Sequence, residues 1–243
     1  MTRRFAALLF GSIIVAILSA GAGNAAALRV APIIVDVARG ATSTVELQNL
    51  GSSTATVQVR IFRWVQKGGQ NKLVPTRDVV ASPPITKIMP GRRNIIRIVR
   101  LAKRPVVGEE SYRVLVDEIP KRNAGRSMRV GIALRYSLPV FFGSNPASDN
   151  RLKWSVVQKK GETIVTATNP GNRRVRLSAL TLSNRSGRRL RFSKGLTGYV
   201  LGRSTATWKT KGMISASASA RVRITASTEN GTIESEAKLR TAQ

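Results

Sequence analysis

The chain has 243 residues and carries 41 lysines and arginines against 12 aspartates and glutamates, a formal net charge of +29. It contains no cysteine and no histidine, which removes disulfide scaffolds, zinc fingers, thiol enzymes, histidine triads and imidazole metal sites. So basic a balance points to an anionic partner: nucleic acid, an anionic membrane surface or an acidic protein.

Residues 1–26 place Arg3 and Arg4 ahead of an apolar run from Phe5 to about Leu18, then small residues. Those are the three parts of a secretory signal peptide, with cleavage expected between Ala25 and Ala27. A membrane anchor fits less well, because the run falls short of the roughly 20 residues a span needs and small residues, not charges, follow it. Nothing later is apolar enough to cross a bilayer, so no stable membrane insertion is expected. Export argues against nucleic acid, and so does the scatter of single basic residues along the pattern. The tight basic clusters are GNRRVR (171–176) and RSGRRLR (185–191), with Phe192 alone adjacent to offer stacking.

Beyond the leader nearly every apolar pattern has period two and is bounded by Gly, Pro, Asn or Ser, the mark of short antiparallel strands. Strands are expected at 28–37, 43–49, 54–64, 85–88, 94–101, 110–119 and 127–142. Seven strands at this spacing match an immunoglobulin-like sandwich. The turn-rich GSNPASDN, 143–150, is expected to link two domains. The alternation resumes at 151–158, 162–168, 174–182, 188–191, 205–208, 219–227 and 232–239, enough for a second, smaller sandwich. No helix of ten or more residues is expected after the leader. The domains are thus 1–26 signal peptide, 27–143 and 144–243.

The stretch SMRVGIALRYSLPVFF, 127–142, alternates for longer than an ordinary strand requires. Its apolar row is Met128, Val130, Ile132, Leu134, Tyr136, Leu138, Val140 and Phe142. Such a row either fills the chain's own core or lies at an open sheet edge and inserts into a partner. An enzyme is not expected. No two of Asp36, Glu46, Asp78, Glu109, Glu110, Asp117 and Glu118 have a spacing suited to acid–base work. Asp117 and Glu118 face opposite sides of a strand, and Glu109 and Glu110 are expected in a turn. No cofactor and no metal is called for.

The segments VELQN (45–49), SPPITKIMPGRRNIIRIVR (82–100), SYRVLVDEIP (111–120) and IALRYSLPVF (132–141) occur in an order that resembles periplasmic pilus-assembly chaperones of the chaperone–usher pathway. ATNPGNRRVRL (167–177) and YVLGRSTATW (199–208) extend the resemblance through the second half. It implies an all-β protein of two immunoglobulin-like β-sandwich domains in an L-shaped, boomerang arrangement. It further implies a periplasmic location, with pilus subunits and an outer-membrane usher as partners. Subunits of that family lack their last strand, and the chaperone lends one of its own, a form of β-augmentation. The donor residues would be Met128, Val130, Ile132 and Leu134, with Tyr136 to Phe142 packing internally. The competing reading is a secreted tandem immunoglobulin-like adhesive or structural module with a basic surface.

The chain departs from the better-known family members at the basic pair that grips the subunit's terminal carboxylate. The two expected positions fall on Ile34 and Pro139. RYSLPVF resembles instead the archaic, or sigma, branch, whose anchor must come from elsewhere. The first candidates are Arg113 and Arg135, on strands that would run to the cleft, and then Arg97 and Arg100. For each, the alternative is a solvated arginine on a strand's polar face.

Overall fold

A computed structural model describes residues 28–120, 133–143, 151–214 and 220–241, and all regular structure among them is strand. In chain order these are β1 (Leu28–Ala31), β2 (Val35–Val37), β3 (Thr42–Asn49), β4 (Ala55–Lys67), β5 (Gln70–Pro75), β6 (Val79–Ser82), β7 (Ile85–Ile88), β8 (Arg93–Arg100), β9 (Glu110–Ile119) and β10 (Arg135–Phe142). They form one sheet in the order β1-β3-β8-β6 and a second in the order β2-β10-β9-β4-β5, with β7 also on β4. The alternation seen in the sequence decides which residues face inward. Val45 and Leu47 on β3, Ile96 and Ile98 on β8, Val57 and Val59 on β4, and Val114 and Val116 on β9 fill one core between the sheets. Leu138, Val140 and Phe142 of β10 are buried in that core, each contributing about 1.5–3 kcal/mol. The expected single strand 28–37 is two strands in two sheets, because Pro32 cannot continue a ladder and the bend at 33–34 carries the chain across.

The second set is β11 (Lys153–Lys159), β12 (Glu162–Thr168), β13 (Val175–Ser183), β14 (Arg189–Arg191), β15 (Leu196–Val200), β16 (Thr205–Lys211), β17 (Arg221–Thr228) and β18 (Gly231–Thr241). Pairing runs β14-β13-β17-β18-β11-β12-β16 with β15 on β13, the one parallel step being β11 with β18. Val156 and Val165 from one half of this path share a core with Leu177, Leu182 and Ile224 from the other. The fold is therefore all-β, two immunoglobulin-like sandwiches in succession. Both use the same device at a strand end. The buried Asn49 amide donates to the carbonyls of Ser53 and Ile88 at 2.8 Å while accepting from Gly51 N–H, and Asn169 does the same toward Arg173, Val200 and Gly171.

The sandwiches meet through a third cluster of Trp64, Phe141, Tyr199 and Leu201, with Ile34 packed against it. Trp64 and Tyr199 lie edge to face with centroids 5.4 Å apart. Gln66 bonds both ways across the junction: its amide N–H donates to Tyr199 O at 2.7 Å, and its carbonyl accepts from Leu201 N–H at 2.9 Å. The β4–β5 turn presses on β16, where Thr207 N–H donates to Gly69 O at 2.9 Å. Gly69 has φ +78°, and a Cβ there would stand 2.3 Å from the Thr207 hydroxyl, so only glycine fits the turn.

Candidate functional site: a cationic cleft and an open strand edge

Where the sandwiches meet there is a cleft of about 680 Å³. One wall is Ile33, Ile34, Arg113, Arg135 and Tyr136 to Pro139; the other includes Arg176, Lys194, Leu196 and Tyr199. Among the described residues, four cations and no carboxylate line it. Ile34 and Pro139, the positions at which the sequence resemblance places the expected basic pair, both lie in the wall.

Strand register explains how Arg113 reaches the cleft. On β9 the inward residues Tyr112, Val114 and Val116 alternate with Arg113, which stands opposite Pro139 of β10 and Phe62 of β4. Its guanidinium lies 3.9 Å over the Trp64 ring and 5.8 Å from Tyr199, and donates to Ser137 O at 3.1 Å. Burial holds its pKa below the ordinary arginine value. Among the described residues no carboxylate pairs with it, so it is a partly desolvated fork of N–H donors without a counter-charge there. Trp64 and Tyr199, on which that cradle depends, come from 135 residues apart, and nothing in either local pattern marks them.

Arg135 also lines the cleft, but its Nε already donates to Asp117, which accepts a second bond from Arg60 at 2.6 Å. Burial pushes the Asp117 carboxyl up, yet the bonds from Arg135 and Arg60 hold it below its ordinary value. Arg97 and Arg100 do not line the cleft. Arg97 is exposed on β8, in the opposite sheet. Arg100 makes a buried bidentate pair with Glu110 at 2.8 and 2.9 Å, and Tyr112 donates its hydroxyl to the same carboxylate. Arg100 and Tyr112 hold Glu110 below the usual carboxylate range against its burial. Glu110 opens β9 and does not sit in the expected turn.

Glu109, just before that strand, is held by a residue that the sequence placed in a basic surface cluster. Arg174 is buried, with its side chain 1% exposed, and bridges the two sandwiches. It donates to Glu109, reaches Asp36 at 2.7 and 2.9 Å, and stacks 3.6 Å over Phe141. Among the described residues its Nε has no hydrogen-bond partner. Burial pushes the Glu109 carboxyl up, against the pull of Arg174. This clamp fixes the walls of the cleft.

The cleft opens onto a strand edge. β10 pairs with β9 along its whole length, but on its other side β2 covers only Val140 to Phe142. Among the described residues no strand pairs with that side of Arg135 to Pro139, which leaves an edge ready to accept another chain. Pro139, lacking an N–H, suits such an edge. Leu134, half-buried, precedes β10 and accepts from Glu118 N–H at 3.0 Å. Met128, Val130 and Ile132 lie outside the described residues.

Residues 28–147 match the family model for the pili and flagellar-assembly chaperone, PapD N-terminal domain. An uncharacterized fimbrial chaperone of Escherichia coli K12, YhcA, is 24% identical over 147 residues, a match spanning 60% of this chain and 62% of that protein. Among solved structures, the archaic Csu pilus chaperone–tip subunit pre-assembly complex of Acinetobacter baumannii, CsuC–CsuE, contains a chain 27% identical with a TM-score of 0.66, covering 90% of this chain and all of that one. The YadV chaperone matches at 22% identity and TM-score 0.60, covering 88% of this chain and all of that one. The CupB2 chaperone of Pseudomonas aeruginosa matches at 19% and 0.54, covering 86% and 98%. The fold is thus the one seen in solved chaperones of the chaperone–usher type. Through residues 28–147, just under half of its length, the chain is similar to the PapD-type pilus-assembly chaperones.

Proposed function

We propose that this protein is a periplasmic chaperone that binds incompletely folded pilus subunits by lending them a β-strand and passes them to an outer-membrane usher. The observation that carries this reading is an edge of β10 left unpaired among the described residues, running out of a cleft whose described lining has four cations and no acid. An extended subunit segment added to that edge gains backbone hydrogen bonds, while alternate apolar side chains of the donor row fill the subunit's groove. In this account the donor row is Met128, Val130, Ile132 and Leu134, and the subunit's terminal carboxylate docks on Arg113, with Arg135 assisting. The leader 1–26 exports the chain, 27–143 is the strand-lending domain, and 144–243 forms the second wall of the cleft. The family is one of chaperones and not enzymes, and CsuC of the structural match is held in a complex with a pilus tip subunit.

Co-expression with candidate pilus subunits, sought first among the neighbouring genes, followed by pull-down from a periplasmic extract, tests the reading. The wild-type chaperone should recover a subunit in a stable complex. Ile132→Thr with Leu134→Thr keeps strand propensity but removes apolar area that the complex buries, at about 1–3 kcal/mol per site. That double variant should melt like the wild type and recover little or no subunit. If it instead unfolds many degrees lower, the row belongs to the chaperone's own core and the donor assignment is wrong.

A further inference from the structure

The outer face of the second sandwich carries a second concentration of positive charge, away from the strand edge. Cross-strand register sets two rows side by side: Arg189 of β14, Ser183 of β13 and Arg223 of β17 in one, and Arg191, Thr181 and Thr225 in the next. Inward neighbours Leu182, Val222 and Ile224 are buried, so these polar residues share the solvent face. Two adjoining grooves, of about 410 and 500 Å³, both include Ser183, Arg189 and Arg223 in their linings. With Arg185 and Arg221 they present five arginines against Glu234 and Glu236. Arg221 reaches Glu236 at 3.5 Å, whereas among the described residues Arg189, Arg191 and Arg223 are in no ion pair.

We propose that these grooves form a docking site for the phosphate headgroups of an anionic membrane surface. Three features favour that occupant. The cations are all arginine, whose planar fork matches phosphate oxygens in pairs. Hydroxyls of Ser183 and Thr225 stand between them as further donors. Neither groove has an aromatic or large aliphatic side chain in its lining, so the anchor residues that concentrate energy at protein–protein interfaces are absent from it. The same lack of apolar side chains means the face adsorbs at headgroup level without inserting. The site is separate from strand lending and does not depend on it. Its effect would be to hold the chaperone along a membrane leaflet.

The test is flotation of the mature chain with vesicles of phosphatidylcholine, with and without phosphatidylglycerol. Binding should require phosphatidylglycerol and weaken as salt rises. The variant Arg189→Gln/Arg191→Gln/Arg223→Gln should bind about a hundredfold more weakly, from roughly fivefold per arginine. The control Arg39→Gln/Arg97→Gln/Lys103→Gln removes the same charge from the first sandwich and should lose no more than about fivefold. Subunit recovery by the groove variant should stay at the wild-type level, so the outcome is independent of the chaperone reading. Three results would overturn the proposal: no binding to phosphatidylglycerol vesicles, equal loss in variant and control, or equally tight groove-dependent binding of soluble glycerol phosphate or of a polyglutamate peptide. The last would make the site one for a free phosphate or an acidic protein.

Discussion

Arg174→Ala is expected to lower the melting temperature by roughly 10 °C, since stripping one partner from a buried ion pair costs about 3–5 kcal/mol and each kcal/mol shifts a chain of this size by about 2–4 °C. The reason is what stays behind. Glu109, with its side chain 1% exposed, would lose its buried guanidinium, and Phe141 would lose the cation stacked 3.6 Å above it. The loss should also depend on pH. Burial already raises the Glu109 pKa, and Arg174 is the main group pulling it down. A carboxyl whose folded-state pKa lies above the unfolded value, about 4.3, contributes stability below that value and loses it as pH rises through the folded one. Without Arg174 the folded value climbs further, so the destabilisation should be smaller at pH 5 than at pH 8. Adding Glu109→Gln to Arg174→Ala should recover part of the loss at pH 8, because no fully buried carboxylate is then stranded, Arg173 and Asp36 being in part exposed. Thermal melts at both pH values check this. A pH-independent loss, with no recovery in the double variant, would show that packing and not the ion pair holds the sandwiches together.

Arg113→Ala is expected to abolish subunit recovery while leaving the chaperone's melting temperature nearly unchanged. The side chain is in no ion pair among the described residues, and its removal relieves a desolvated charge. In a complex, the subunit carboxylate would be left buried without a cation, at about 2–5 kcal/mol, or at least about thirtyfold in affinity. Arg113→Lys should rescue poorly, because an ammonium can neither lie flat on Trp64 nor present a planar fork. Arg135→Ala should cost less, since that guanidinium is spent on Asp117 and the side chain is 62% exposed. A larger loss from Arg135, Arg176 or Lys194 than from Arg113, read in the same pull-down, would move the anchor to another part of the cleft.

How much of this was legible beforehand depended on how locally each feature is encoded. Strands with one buried face announced themselves by alternation: 85–88, 110–119 and 162–168 have the expected bounds. Gln70–Pro75 escaped because all six of its residues are exposed, so no apolar period exists to find. Leu196–Val200 escaped because Gly198 and two polar-facing positions interrupt its pattern. The site divided in the same way. Arg113 was nameable from its place on an alternating strand. The Trp64–Tyr199 cradle and the Arg174 clamp join segments 65 to 138 residues apart, which one-dimensional periodicity does not connect. In GNRRVR, Arg173, Arg174 and Arg176 look alike, and tertiary packing alone sends Arg174 inward. The one hint was scarcity: with 12 acids against 41 bases, an acid such as Glu109 was bound to be sought by some arginine.

In the proposed function the segment ahead of β10 is the one lent to a subunit. Amide hydrogen exchange across residues 126–142, in the free chaperone and in its complex with a co-purified subunit, tests it most directly. The account predicts rapid exchange from 128 to 134 in the free protein, slow exchange from 138 to 142 in both states because those residues are buried between the sheets, and strong protection of 128–134 on binding. Residues 128–134 already protected in the free chaperone, or still exchanging freely in the complex, would contradict it.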